Sequence, residues 1–224
     1  MRKTLQRLAT RRHVGLAILS GRAVPDLKAR ARLSRVVYGG CHGLEIEGPG
    51  FRFRHPLDPS IRNRLRIAAV ALEEIISRFP GADLEWKGFA VAVHCRKVAS
   101  SRLGPLFKLT KEVSARADLG ILLGEKVWDL VPPGHPGKSK AVSLIRDHLK
   151  ARLDGRPPLT VYAGDDAVET RAFASLQARD ITVQVGGKRR TADYHLRGVP
   201  EVHALLRWID RVTARVHRSP YDVR

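Results

Sequence analysis

Sulfur is nearly absent from this chain: two cysteines, Cys41 and Cys95, and one methionine among 224 residues. Two cysteines make no disulfide framework, and no CxxC pair or Cys/His cluster offers a zinc site, so a reducing cytosol fits. Long apolar runs are missing as well. The opening segment "MRKTLQRLATRRHVGLAILSG" contains only "VGLAIL" as a continuous apolar stretch. That is too short for a secretory core, and no run approaches a membrane span. Acids are scarce, with 22 Asp+Glu against 41 Lys+Arg, and none stands among the 19 residues before Ser20. The net charge of +19 either coats solvated faces or attracts an anionic partner, nucleic acid or a phosphorylated small molecule. The basic residues are scattered, and no helix-turn-helix, zinc or RNP signature supports nucleic-acid binding. Internal repeats and low-complexity tracts are also lacking.

What is present reads as an ordinary globular composition, 43% hydrophobic and 28% charged. The pattern predicts a basic helix over 2–10 and a buried strand over 13–19 that ends in Ser20-Gly21-Arg22. A helix over 24–33 follows, with Pro25 at its start. Residues 36–48, "VVYGGCHGLEIEG", read as strand, glycine-rich turn, strand. Residues 61–79 place Leu65, Ala68, Ala69, Leu72, Ile75, Ile76 and Phe79 on one helical face. A hairpin over 82–98 turns near Lys87-Gly88. Then come a helix over 105–118, two short strands within 117–132, and a helix over 140–150 capped by Ser139. The end of the chain reads as strand 160–163, helix 168–178, strand 181–185, the basic turn "GGKRR", and a last helix. That helix carries Val202, Leu205, Leu206, Ile209, Val212 and Val216 on one stripe. Strands alternate with helices at both ends while the middle is rich in hairpins. The expectation is a parallel α/β core built from 1–49 and 135–224, interrupted by a smaller α+β insertion over 50–134.

In an open parallel sheet, ligands bind beyond the carboxyl ends of the strands. Two such loops carry chemistry here: Ser20-Gly21-Arg22, and Gly164-Asp165-Asp166 after the strand at 160–163. The helix entry Lys138-Ser139-Lys140 is a third element. A hydroxyl and helix-start N–H groups hold phosphate oxygens, and a lysine neutralises charge on a phosphoryl group. Adjacent Asp165 and Asp166 repel unless a cation lies between them, and hard carboxylate oxygens suit Mg²⁺. Each element alone also reads as a plain turn, a solvated helix start or a helix cap, and "GKSK" lacks the glycine spacing of a Walker A loop. Their order along the chain joins them into one phosphate site.

Six segments extend this reading: "AILSGR", "GGCHGLEIEGPG", "EWKGFAVAVHCR", "GKSKAV", "YAGDDAVETRAF" and "ITVQVGGKRRTADYHLRGVPEVHALLRWI". Together, over nearly the whole chain, they resemble the trehalose-6-phosphate phosphatases of the haloacid dehalogenase superfamily. The resemblance implies an α/β fold, a Rossmannoid parallel-sheet core with an inserted α/β cap. It implies Mg²⁺-dependent hydrolysis of trehalose 6-phosphate to trehalose and phosphate in the cytoplasm. A trehalose-phosphate synthase is the further partner it suggests, with no role for nucleic acid or membrane. By position, Ser20, Gly21 and Arg22 would contact phosphate, Lys138 would stabilise the phosphoryl group, and Asp165 with Asp166 would serve the metal. Glu85, Lys87, His94 and Arg96 would frame the sugar from the cap, with His42 and Glu45 near the core–cap junction. Glu85 and Lys87 also read as a surface ion pair across a turn.

Some positions depart from the family pattern. Cys95 stands where an aromatic is usual. Val168, Glu169 and Thr170 replace Thr, Asp and Glu. The Asp-x-Asp-Gly motif, which supplies the family's nucleophile and general acid/base on its first core strand, is absent from the sequence. The expectation is therefore a core without its first strand, in an N-terminally truncated phosphatase. The alternative is a catalytically inactive phosphosugar-binding or regulatory homologue.

Overall fold

A computed structural model describes residues 1–135, 137–152, 157–165, 169–187 and 192–215. Its first elements are α1 (Arg2–Thr10), β1 (Ala17–Leu19), α2 (Val24–Ala31), β2 (Val37–Gly40), β3 (Glu45–Gly48) and β4 (Phe51–Arg54). The middle contains α3 (Pro59–Ile76), β5 (Asp83–Trp86), β6 (Val91–His94), α4 (Ser100–Arg116), β7 (Gly120–Gly124) and β8 (Val127–Val131). Then follow α5 (Gly137–Arg152), β9 (Val161–Gly164), α6 (Glu169–Ala174), β10 (Ile181–Val185), β11 (Tyr194–Leu196) and α7 (Val199–Arg215). Among the described residues these strands form three sheets, in the orders β1-β2-β3-β4, β11-β10-β9 and β5-β6-β8-β7. The parallel pairs lie near the two ends of the chain: β1 with β2, and β10 with both β9 and β11. The middle sheet is antiparallel throughout. This is the α/β class that the alternation predicts, with the parallel strands divided between two sheets. Each of these sheets ends on an open-edged apolar strand, β1 or β9. Ala17, Val161 and Ala163 are exposed there.

The middle sheet shows how strand alternation places a functional row. In β6 and β8, Val91, Val93 and Leu130 are fully buried in one cluster with Leu65 and Leu72 of α3 and Leu106 of α4. Side chains alternate along a strand, so their neighbours point to the opposite face. Pairing sets Glu85 opposite Ala92, and Ala92 opposite Asp129. Glu85, Ala92 and Asp129 thus form one row on the face that the helices leave free. The helix α3 starts cleanly because Asp58 accepts the Ser60 N–H at 2.7 Å and Pro59 occupies the first turn.

Elsewhere the packing draws the two ends of the chain together. Ala141 and Ile145 of α5 pack with Val37 and Ile46 on the first sheet. Arg146 of the same helix pairs with Asp180, which also accepts the N–H groups of Thr160 (3.0 Å) and Gln177 (2.9 Å). Asp210 on α7 binds Arg7 at 2.9 Å and Arg11 at 2.5 Å, tying α7 to the start of the chain.

Several element limits differ from the sequence reading. The strand expected over 13–19 is confined to Ala17–Leu19 and is half-exposed rather than buried. One cause lies at Gly15, where a Cβ would stand 2.5 Å from the Leu149 side chain, so α5 presses on that segment. The helix over 24–33 stops at Ala31, because Arg32 turns left-handed at φ 50°. Helix α4 begins at Ser100 and contains Pro105. The burial of Leu106, Thr110 and Val113 outweighs the one hydrogen bond that the proline ring removes. Ser139 lies inside α5, which starts at Gly137, so it is not the cap. Helix 168–178 shrinks to Glu169–Ala174, the short strands β4 and β11 appear where no strand was expected, and Val216 lies outside the described residues. Among the described residues, no helix is long and apolar enough to cross a membrane.

Candidate functional site

The loop after β1 is built by its own backbone. Ser20 N–H donates to Gly39 O at 2.9 Å, which continues the β1–β2 ladder by one step. Ser20 Oγ accepts the Arg22 N–H at 3.2 Å, a local hydroxyl-to-backbone turn. Gly21 follows, and it must lack a side chain: a Cβ there would meet the His42 ring at 2.6 Å. Arg22 pairs with Asp26 in the first turn of α2 at 2.9 Å and is exposed.

Opposite this loop, three consecutive residues take left-handed backbone angles: Cys41 (φ 48°), His42 (φ 57°) and Gly43 (φ 98°). Two of them carry side chains, and such strain costs on the order of 1–3 kcal/mol per residue, so the surroundings must hold it. They do. Cys41 N–H donates to Arg22 O at 2.8 Å, and His42 N–H to Ser20 O at 3.0 Å. Cys41 Sγ–H reaches Lys87 O at 3.6 Å. Gly43 abuts α5, where a Cβ would stand 2.7 Å from Ala141 Cβ.

The strained turn aims His42 at a buried carboxylate. His42 Nε2 lies 2.9 Å from Asp129 Oδ2, and Lys87 Nζ donates to Asp129 Oδ1 at 2.6 Å and to Gly21 O at 3.0 Å. The side chains are 9%, 3% and 4% exposed for His42, Asp129 and Lys87. Burial pushes the Asp129 carboxyl up, but the His42 hydrogen bond and the Lys87 charge together hold it below the usual carboxylate range. Burial pushes the Cys41 thiol up to about 12, which leaves it an inert packing group. The network joins the first sheet's loops to the turn after β5 and the middle of β8, residues far apart in sequence.

Lys138 is buried in the first turn of α5. Just before it, His135 Nδ1 accepts the Gly137 N–H at 3.3 Å, and its ring lies edge-on to His42 with centroids 6.2 Å apart. Burial holds the His135 imidazole down at about 4, and the neighbouring His42 and His55 add to this. The structure therefore brings Ser20, Gly21, His42 and Lys87 into one network and sets the start of α5 beside it. The other expected residues lie in pairs of their own. Glu45 binds Arg54 across the β3–β4 ladder at 3.1 Å, and half-exposed Glu85 and His94 pair at 2.8 Å. Arg96 Nη2 reaches the Glu125 carbonyl at 3.3 Å and is exposed. Asp165 follows β9 directly and is exposed, while Asp166 lies outside the described residues.

Two residues escaped the sequence reading. Asp129 is an acid in the middle of the apolar strand "VWDLV", which is itself a signal, since a lone carboxylate there must be paired or protonated. His135 sits in "PPGHPGKSK", where Pro and Gly invite a plain loop reading. Among the described residues, no group of three or more His, Cys, Asp or Glu side chains could hold a metal ion. Mg²⁺ needs only one or two protein carboxylates beside water and phosphate, and an exposed aspartate at the carboxyl end of a parallel strand fits that chemistry.

Comparison with known proteins shows the family. Residues 1–198 match the trehalose-phosphatase family. The chain is 30% identical over 223 residues to a trehalose-phosphate phosphatase of Mycobacterium bovis and to one of Mycobacterium tuberculosis, covering 97% of this chain and 56% of each relative. It thus spans about half the length of these relatives. Two solved structures share the fold. A trehalose-6-phosphate phosphatase related protein has TM-score 0.76 at 20% identity, covering 96% of this chain and 87% of that one. The C-terminal domain of Candida albicans trehalose-6-phosphate phosphatase has TM-score 0.77 at 19% identity, covering 93% and 82%. The C-terminal domain of a Candida albicans trehalose synthase regulatory protein also has this fold, with TM-score 0.71 at 14% identity and 91% and 84% coverage. With a family match over most of its length, the chain belongs to the trehalose-phosphatase family.

Proposed function

We propose that this chain serves the hydrolysis of trehalose 6-phosphate to trehalose and phosphate, in the cytoplasm. The observation that carries the reading is the buried Lys87–Asp129–His42 network, which fastens the middle sheet against the Ser20-Gly21 loop beside the start of α5. In this reading residues 50–134 form a cap over a core made of 1–49 and 135–224. Ser20 and Gly21 receive the phosphate, with Arg22 at the loop's outer edge, and Lys138 offsets its charge. Glu85, His94 and Arg96 face the sugar from the cap, with Lys87 and Glu45 nearer the junction. Asp165 and Asp166 would hold Mg²⁺, which when bound neutralises charge on the phosphoryl oxygens.

A second reading is favoured by the carboxylates themselves. At the junction Asp129 is bound by His42 and Lys87, and Glu45 by Arg54. Neither is free to attack phosphorus, and Ser20 Oγ has a backbone N–H partner rather than a base. Residues 1–224 then act as a phosphosugar-binding module, alone or beside a trehalose-phosphate synthase. Calorimetry and phosphate release separate the two. Both readings expect trehalose 6-phosphate to bind more tightly than glucose 6-phosphate, with Glu85→Ala or Lys87→Ala reducing that preference. Binding without phosphate release supports the module. Release abolished by Asp165→Ala supports the hydrolase and demands a nucleophile among these residues. Equal affinity for both sugars refutes either reading.

A further inference from the structure

Two buried nitrogens at the junction have no hydrogen-bond partner among the described residues: His42 Nδ1 and His135 Nε2. An orphaned buried polar atom is uncommon in a native protein and calls for an explanation. The rest of each ring fixes what the orphan atom can do. His135 Nδ1 accepts the Gly137 N–H, so the proton of that imidazole sits on Nε2, and the orphan is a donor. His42 Nε2 lies against the Asp129 carboxylate and donates to it, so the orphan Nδ1 is an acceptor. The two rings stand edge to face with centroids 6.2 Å apart. One oxygen at hydrogen-bonding distance from both can bridge nitrogens up to about 6 Å apart.

A donor and an acceptor on neighbouring rings select a shared occupant by chemistry. A carboxylate or a fully ionised phosphate-monoester oxygen can accept from His135 but has no proton for His42. An ammonium can donate to His42 but cannot accept from His135. A hydroxyl does both, as does the water that such a hydroxyl would displace. The position fits: His42 lies against Gly21 on the phosphate loop, and His135 is three residues before Lys138. The strained backbone at Cys41 and His42 holds the acceptor in place against its own preference.

We infer that His42 Nδ1 and His135 Nε2 together bind one hydroxyl group of the phosphorylated ligand, and that His135 is a specificity-determining residue of this site. The inference rests on the sugar-phosphate reading above. It makes the junction a reader of the polyol part, next to a loop that reads the phosphate.

The test uses the full chain labelled with ¹⁵N and long-range ¹H–¹⁵N spectra of its imidazoles, titrated separately with trehalose 6-phosphate and inorganic phosphate. The expected result is a proton on Nε2 of both rings, with the His42 Nδ1 and His135 Nε2 signals moved by trehalose 6-phosphate and not by phosphate. His135→Phe, which keeps a flat ring and removes the donor, should weaken trehalose 6-phosphate about tenfold, the cost of one hydrogen bond, and leave phosphate affinity unchanged. Binding that moves the Ser20 and Lys138 amide signals while both imidazoles stay still would overturn this inference and leave the sugar-phosphate reading intact. The same imidazole shifts with inorganic phosphate alone would also overturn it, in favour of an anion site. No binding of trehalose 6-phosphate at all would overturn both.

Discussion

Replacing Asp129 by Asn tests whether the junction network holds the fold together. The substitution keeps shape and removes charge. It leaves the Lys87 ammonium, 4% exposed, with neutral acceptors alone in this network, the new amide oxygen and the Gly21 carbonyl, and no opposite charge. Breaking one partner out of a buried pair costs about 3–5 kcal/mol, because the other charge stays buried without compensation. With a urea slope of about 2 kcal/mol/M, the unfolding midpoint should fall by about 2 M. Lys87→Met should cost a similar amount by stranding the carboxylate. The double variant should cost less than the sum of the two by about 2 kcal/mol, since no stranded charge remains. Fluorescence of Trp86 and Trp128, both in the middle sheet, should report an earlier transition than circular dichroism in the Asp129→Asn protein. The network joins that sheet to the first one, so losing it uncouples them. A midpoint shift below about 0.5 M, or singles that simply add, would refute the account of Asp129 as a charge shared between two units.

Three further outcomes follow from other parts of the molecule. Asp180→Ala strands the N–H groups of Thr160 and Gln177 and frees Arg146, so a loss of about 2–4 kcal/mol is expected in the same urea assay. Burial pushes the Asp180 carboxyl up, but those two N–H bonds and Arg146 outweigh it and hold it below its ordinary value of about 3.9. Its stabilisation is thus full above that value and fades as pH falls below about 4, and Asp180→Asn should flatten this acid limb. Gly21→Ala would place a methyl 2.6 Å from the His42 ring, and calorimetry should show trehalose 6-phosphate binding weakened as the ring is displaced. His135 follows the same sign as Asp180 in a higher pH window. Burial holds it down at about 4, so the unfolded chain takes up a proton near pH 6.5 while the folded chain does not. Stability should therefore decline as pH falls from about 6.5 towards about 4, and the decline should shrink in His135→Phe.

Most of the architecture was legible because it rests on local rules. The α3 stripe, the hairpin at Lys87-Gly88 and the strand at Ile181–Val185 each follow from periodicity over several residues plus a turn or cap signal. The misses have physical causes that no local window contains. Pro105 inside α4 is tolerated because Leu106 and Val113 face a core made by distant residues. Strand β4 has only four residues, "FRFR", and forms because β3 offers it an edge. The β1–β2 ladder reaches back to Leu16, whose carbonyl accepts the Val37 N–H at 2.9 Å, and stops where Leu149 crowds Gly15.

The site was legible in proportion to how much of each role a residue carries alone. Ser20-Gly21 is visible as a strand end carrying a hydroxyl and a glycine, a local pattern that also reads as a plain turn. Asp129 and His135 are not visible in this way, because their roles exist only between elements. Asp129 lies 42 residues from Lys87 and 87 from His42, and nothing near it in sequence says which charges it meets. What brings them together is the register of the middle sheet. Asp129 pairs with Ala92, whose small side chain leaves that face of the sheet uncrowded. A slip of one residue in β8 would turn Asp129 into the apolar cluster of α3 and α4 and leave Lys87 and His42 without their shared carboxylate. The register of one buried strand therefore sets both the apolar cluster beneath the middle sheet and the electrostatics of the His42–Lys87 network. An acid inside an otherwise apolar strand is best read as an instruction about what that strand faces.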